Sequence, residues 1–101
     1  MQTSFAVAAT GPTAAWDAGA GKTFRGIYLK VVAPVPGQFY ADPVVALETS
    51  PDNTTWTEQA RVTGIKWCSA ASSHAQRYVR ANVITLGSAH FAAVLTAVNA
   101  A

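Results

Sequence analysis

The sequence predicts an all-β fold: an antiparallel β-sandwich, jelly-roll-like, of about seven to eight strands in one domain spanning residues 1–101. Three observations predict it. The 21 alanines are accompanied by 11 threonines and by Val, Phe, Tyr and Trp, with only four Leu and one Met, a mixture that favours strands over helices. Several segments alternate apolar and polar residues, and none carries a sustained stripe of helical period. Gly, Pro, Asn and Asp punctuate the chain at intervals of roughly 8–14 residues, the rhythm of a small sandwich. A chain of 101 residues is long enough to bury a core without disulfides or metal, which are usually needed only below about 40 residues.

Residues 3–9 (TSFAVAA) place Phe5, Val7 and Ala9 on one side and suit a first strand. Residues 10–13 break it, and residues 14–21 form a turn-rich connection with Trp16 as its one large apolar anchor. The clearest strand is 23–33 (TFRGIYLKVVA). Ile27, Leu29 and Val31 face one way with Arg25 at the start of their row, and Tyr28 and Lys30 face the other. Residues 34–43 contain three prolines, which forbid regular pairing and make a long loop carrying Phe39 and Tyr40. Residues 44–49 (VVALET) form a strand with Val45 and Leu47 inward.

Pro51, Asp52 and Asn53 head a tight turn, since Pro presets and Asx residues tolerate turn dihedrals. Trp56 caps the core beside it, and residues 56–62 return as a strand. Residues 64–68 continue or restart pairing, with Ile65 and Trp67 on one face and Lys66 and Cys68 on the other. Residues 69–75 (SAASSHA), small and polar, read as a loop. Residues 76–86 (QRYVRANVITL) form a strong strand with Val79, Ala81 and Val83 on one face and Tyr78, Arg80 and Asn82 on the other. Residues 87–89 turn the chain, and 90–98 (HFAAVLTAV) form a last strand apolar on both sides. Such a strand is either central in a two-layer core or covers a partner subunit.

Charge narrows the function classes. Only 12% of residues are charged, and 7 Lys+Arg against 5 Asp+Glu leave +2 with no basic run, which argues against a nucleic-acid partner. No apolar stretch reaches the roughly 18 residues of a spanning helix, so no membrane partner is expected. The first ten residues lack a cationic segment followed by a leucine-rich one, so no secretory signal is expected. A lone cysteine, Cys68, makes no internal disulfide.

No cofactor is expected and no catalytic residue emerges. Gly19, Gly21, Lys22 and Thr23 end like a phosphate-binding loop, but Trp16 stands where the motif needs its first glycine, and Thr23 opens a strand instead of a helix. Cys68, His74 and His90 lie in separate segments without the paired spacing of a zinc site. The carboxylates Asp17, Asp42, Glu48, Asp52 and Glu58 lie mostly in turns, as solvation and turn chemistry instead of acid–base pairs. Asn53, Thr54 and Thr55 form a formal glycosylation sequon, read as coincidental without a secretory signal. Arg77 and Arg80 beside Tyr78 suit either an anion contact or a solvated strand face with one or two salt bridges.

One combination of segments is more specific. The strand LETSPD at 47–52 leads through a turn to Thr55, Trp56 and Thr57, and the strand RYVRANV follows at 77–83. Over residues 44–98 this resembles the small β-sandwich structural proteins of tailed bacteriophages. It departs from their pattern in having Asn53 and Thr54 where glycines are usual. Discoidin-like carbohydrate-binding sandwiches use similar strands. The phage resemblance implies a non-enzymatic virion component assembled in the host cytoplasm, either a capsid cement or decoration protein or a tail-associated module. Its partners would be the major capsid protein or another virion protein and other copies of itself, in a closed ring such as a trimer. The alternative is a carbohydrate-binding module. Trp16, Phe39, Tyr40 and His90 are the candidate interface or ligand contacts; the loop aromatics either display a binding surface or fold back to plug the ends of the sandwich.

Overall fold

The computed structural model describes residues 2–7, 9–17, 24–32, 42–71, 77–86 and 91–99. They form nine strands: β1 (Gln2–Val7), β2 (Gly11–Pro12), β3 (Trp16–Asp17), β4 (Phe24–Val32), β5 (Val44–Ser50), β6 (Thr57–Thr63), β7 (Trp67–Ala71), β8 (Tyr78–Thr85) and β9 (Phe91–Asn99). No helix occurs among the described residues. Sheet A has the order β1-β9-β4-β7, and sheet B the order β2-β8-β5-β6 with β3 also on β8. Every pairing is antiparallel. This is the β-sandwich that the alternation predicts.

The core lies between the sheets and is built from every second residue. Ile27, Leu29 and Val31 of β4 and Phe91, Ala93, Leu95 and Ala97 of β9 line sheet A. Val79, Ala81 and Val83 of β8 and Val45 and Leu47 of β5 line sheet B. Burying each large aliphatic side chain contributes about 1.5–3 kcal/mol, and the interleaved alanines leave room for them. Thr49 is fully buried. A register shift between Leu47 and Glu48 inserts an extra residue, Gln59, in β6, and Gln59 Nε2 donates to Thr49 Oγ1 at 3.0 Å. The irregularity thus supplies a buried hydroxyl with a partner.

Several elements differ from the sequence reading. Two of the nine strands, β2 and β3, are two residues each and occupy segments read as turns. Thr13 secures them: its N–H donates to the Ala81 carbonyl at 2.8 Å and its Oγ1 accepts from the Ala81 N–H at 3.1 Å. β1 ends at Val7, and Ala9 is exposed beyond it. β7 starts three residues later than expected and runs into the segment read as a loop, and the structure settles which of its two faces is inner. Cys68 and Ala70 point to the core and Trp67 points out. Register explains this. Cys68 faces Leu29 and Ala70 faces Ile27 across the inner row, where small side chains fit and an indole does not. Ahead of it the chain bends at Gly64, whose φ of 86° favours glycine. Trp56 is half-buried but does not cap the core: the Arg80 guanidinium lies 4.2 Å over its ring.

The turn after β5 forms as its residues predict. Asp52 Oδ1 accepts from the N–H groups of Thr54 and Thr55 at 2.9 and 2.8 Å and from the Ser50 hydroxyl at 3.0 Å. These bonds, the Thr55 amide foremost, hold the Asp52 carboxyl below its usual range. Asn53 takes a left-handed φ of 61°, tolerable for an Asx residue.

Candidate functional site

The sandwich presents two outer faces of different chemistry. On sheet B, Glu48 of β5 stands across from Arg80 of β8 and Glu58 of β6. Arg80 Nε donates to Glu48 Oε1 at 2.7 Å, and Asn82 Nδ2 donates to Glu48 Oε2 at 3.1 Å. Both carboxylate oxygens are thereby occupied. The Glu48 and Arg80 side chains are only 12% and 22% exposed, so this pair is less screened than a surface ion pair. Arg80 also covers one face of the Trp56 ring in a cation–π contact.

More exposed pairs flank this cluster. Arg61 and Glu58 meet at 2.8 Å along β6. Arg77 reaches both Asp17 oxygens, at 3.0 and 2.8 Å, and its guanidinium lies 4.8 Å over the Tyr78 ring. The carboxylates Asp17, Glu48 and Glu58 therefore sit on strands and not in turns, each beside an arginine. Arg77 and Arg80 are in salt bridges, the solvated-face alternative of the sequence reading. Sheet B spends its charge on itself.

Sheet A differs. Its outer rows come from Gln2, Ser4 and Ala6 of β1, Ala92, Val94, Thr96 and Val98 of β9, Gly26, Tyr28, Lys30 and Val32 of β4, and Trp67 and Ser69 of β7. Among the side chains described on this face Lys30 is the single charged one; β4 also contains Arg25, whose side chain lies outside the description. Trp67 is 64% exposed and Tyr28 39%. Their ring centroids lie 6.1 Å apart at 57°, a tilted pair of favourable geometry. Ser69 stands across from Tyr28, Lys30 across from Trp67, and Thr96 of β9 across from Tyr28 on the other side. Val98 of β9 is a further exposed large apolar residue on this face, while Ile65 lies in the bend ahead of β7 and Ile84 is exposed on β8 of sheet B. β9 runs between β1 and β4 with Phe91, Ala93, Leu95 and Ala97 in the core. Its other row is half-buried Ala92, Val94 and Thr96 with exposed Val98.

Of the residues expected as contacts, Trp16 is half-buried in β3, faces Val79, and packs against the core. Phe39, Tyr40 and His90 lie outside the described residues, as do His74 and residues 19–23. The sequence does not mark Tyr28 or Trp67 as contact residues. The signal for Tyr28 was its place in the polar row of β4; Trp67 emerges only once Cys68 and Ala70 are set inward. Cys68 is half-buried, and burial foremost, with Glu58 nearby, pushes its thiol up to about 11; it is therefore protonated and weakly nucleophilic near neutral pH. Among the described residues, no group of three or more His, Cys, Asp or Glu could hold a metal ion. Compared with protein-family models, curated protein sequences and solved structures, the chain matches none of them.

Proposed function

We propose that the protein is a non-enzymatic structural component of a bacteriophage particle, a capsid cement or decoration protein that docks on the head through the outer face of sheet A. One observation carries the reading: a four-stranded face with a single described charge and an exposed Tyr28–Trp67 pair, opposite a face whose ions are paired. Exposed aromatic residues in a charge-poor setting are the composition of interface centres. The resemblance of residues 44–98 to phage sandwich proteins supports the same reading.

Size suggests how such a contact would work. Four strands about 4.8 Å apart, with five to six residues each rising about 3.4 Å, give a face of about 350 Å². A standard interface buries about 800 Å² per partner, so this face serves as one contact among several, and shell stabilisation comes from many copies acting together. The partners are the major capsid protein or another virion protein and further copies of the chain; the location is the virion.

The test is direct. Peptides of this chain are expected in purified virions of the phage that encodes it, and the protein is expected to co-sediment with heads lacking it and raise their resistance to heat. Absence from virions together with no affinity for such heads would sink the reading. A second reading, a carbohydrate-binding module, is favoured by the exposed Trp67 ring beside Tyr28, with Ser69 and Thr96 within the same rows to meet hydroxyls. Glycan-dependent change in tryptophan fluorescence, without head binding, would select it.

A further inference from the structure

We infer that two copies of the chain pair antiparallel through β1, Gln2–Val7, joining their A sheets across a two-fold axis. The inference concerns a strand edge and is independent of what the outer face of sheet A binds. Edge strands present unpaired N–H and C=O groups, and proteins ordinarily protect them with charge, proline, bulges, shortness or cover. Three of the four edges here are protected. β6 carries Glu58, Arg61 and a register shift. β2 and β3 are two residues each, with Pro12 in one and the Asp17–Arg77 pair at the other. β7 packs beside β6 where the two sheets meet.

Among the described residues, β1 shows none of these devices. Its six residues, QTSFAV, hold no charge and no proline. Its register on β9 runs from Gln2 to Val7 without a shift, and among the described residues β9 is its only strand partner. In a two-fold contact centred on Phe5, Phe5 lies opposite its own copy, and Ser4 and Ala6 lie diagonal to theirs. Any charge there would meet a like charge, so an uncharged strand is what such a contact requires. The alternation fits as well. With Phe5 opposite Phe5 of the second copy, Thr3 meets Val7 and Ser4 meets Ala6, so inner row joins inner row and outer joins outer. Phe5 is half-buried against the core, and the second Phe5 covers its remainder. The two four-stranded sheets become one continuous layer.

Light scattering across a concentration series tests this on the full chain. The wild type is expected to reach twice 10.5 kDa. Ser4 is exposed, so Ser4→Lys and Ser4→Glu fold normally by circular dichroism, and each alone stays at the mass of one chain. An equimolar mixture of the two returns to twice that mass, because opposite charges then meet across the axis. A wild type of single-chain mass at every concentration, a three-chain mass, or a dimer unchanged in Ser4→Lys would overturn the inference. None of these results touches head binding by Trp67 and Tyr28, which is scored separately by co-sedimentation.

Discussion

The outer face of sheet B and the outer face of sheet A are built by the same alternation but reach opposite electrostatic states. Sheet B places Glu48 between Arg80 and Asn82 and lays Arg80 over Trp56, so its charged groups are paired within the molecule. Sheet A leaves Trp67 and Tyr28 exposed with one lysine among the side chains described on this face. A satisfied face gives a partner little to gain, since binding would have to replace hydrogen bonds already made. An aromatic face without strong internal partners retains its desolvation energy for contact.

The largest effect is expected where the comparison is broken on sheet B. Glu48→Ala removes the acceptor of both Arg80 and Asn82 in a largely buried setting, and should cost about 2 kcal/mol in urea unfolding. A loss below about 0.5 kcal/mol, the range of ordinary surface changes, would mean the network contributes little. Next comes Asp52→Asn in the β5–β6 turn. The lowered folded-state pKa of Asp52 means that its contribution is present above the unfolded value near 3.8 and is lost as pH falls through the folded value. The wild type should therefore be the more stable at neutral pH, with the two proteins converging in acid; parallel stability–pH curves would contradict this.

On sheet A the same kind of truncation should do little to the fold. Trp67→Ala is expected to change stability by about 0.5 kcal/mol or less while abolishing partner binding. A large stability loss with binding intact would reverse the roles of the two faces. The smallest effect is at Cys68 on β7. Its thiol should react slowly with alkylating reagents at neutral pH and faster as pH rises toward about 11; rapid labelling at neutral pH would show that β7 opens from its place beside β4.

How far these features were legible depends on the range of the interaction. The inner rows of β4, β8 and β9 could be read directly, because alternation is local and one parity was clearly more apolar. β7 could not, since both parities offered apolar members, Ile65 and Trp67 or Cys68 and Ala70, and only pairing with Ile27 and Leu29 chooses between them. β2 and β3 are too short to show a period. The Glu48–Arg80 pair joins residues 32 apart in sequence, so the outer face of sheet B follows from strand order. That order also turns Tyr28 and Trp67 from separate residues into a neighbouring pair on sheet A.

The most direct test of the division between the two faces is hydroxyl-radical footprinting of the protein free and bound to phage heads. Protection at Trp67 and Tyr28, with Trp56 and Tyr78 unchanged, is the predicted result. Protection at Trp56 and Tyr78 with Trp67 still open to oxidation would place the contact on sheet B and contradict the account.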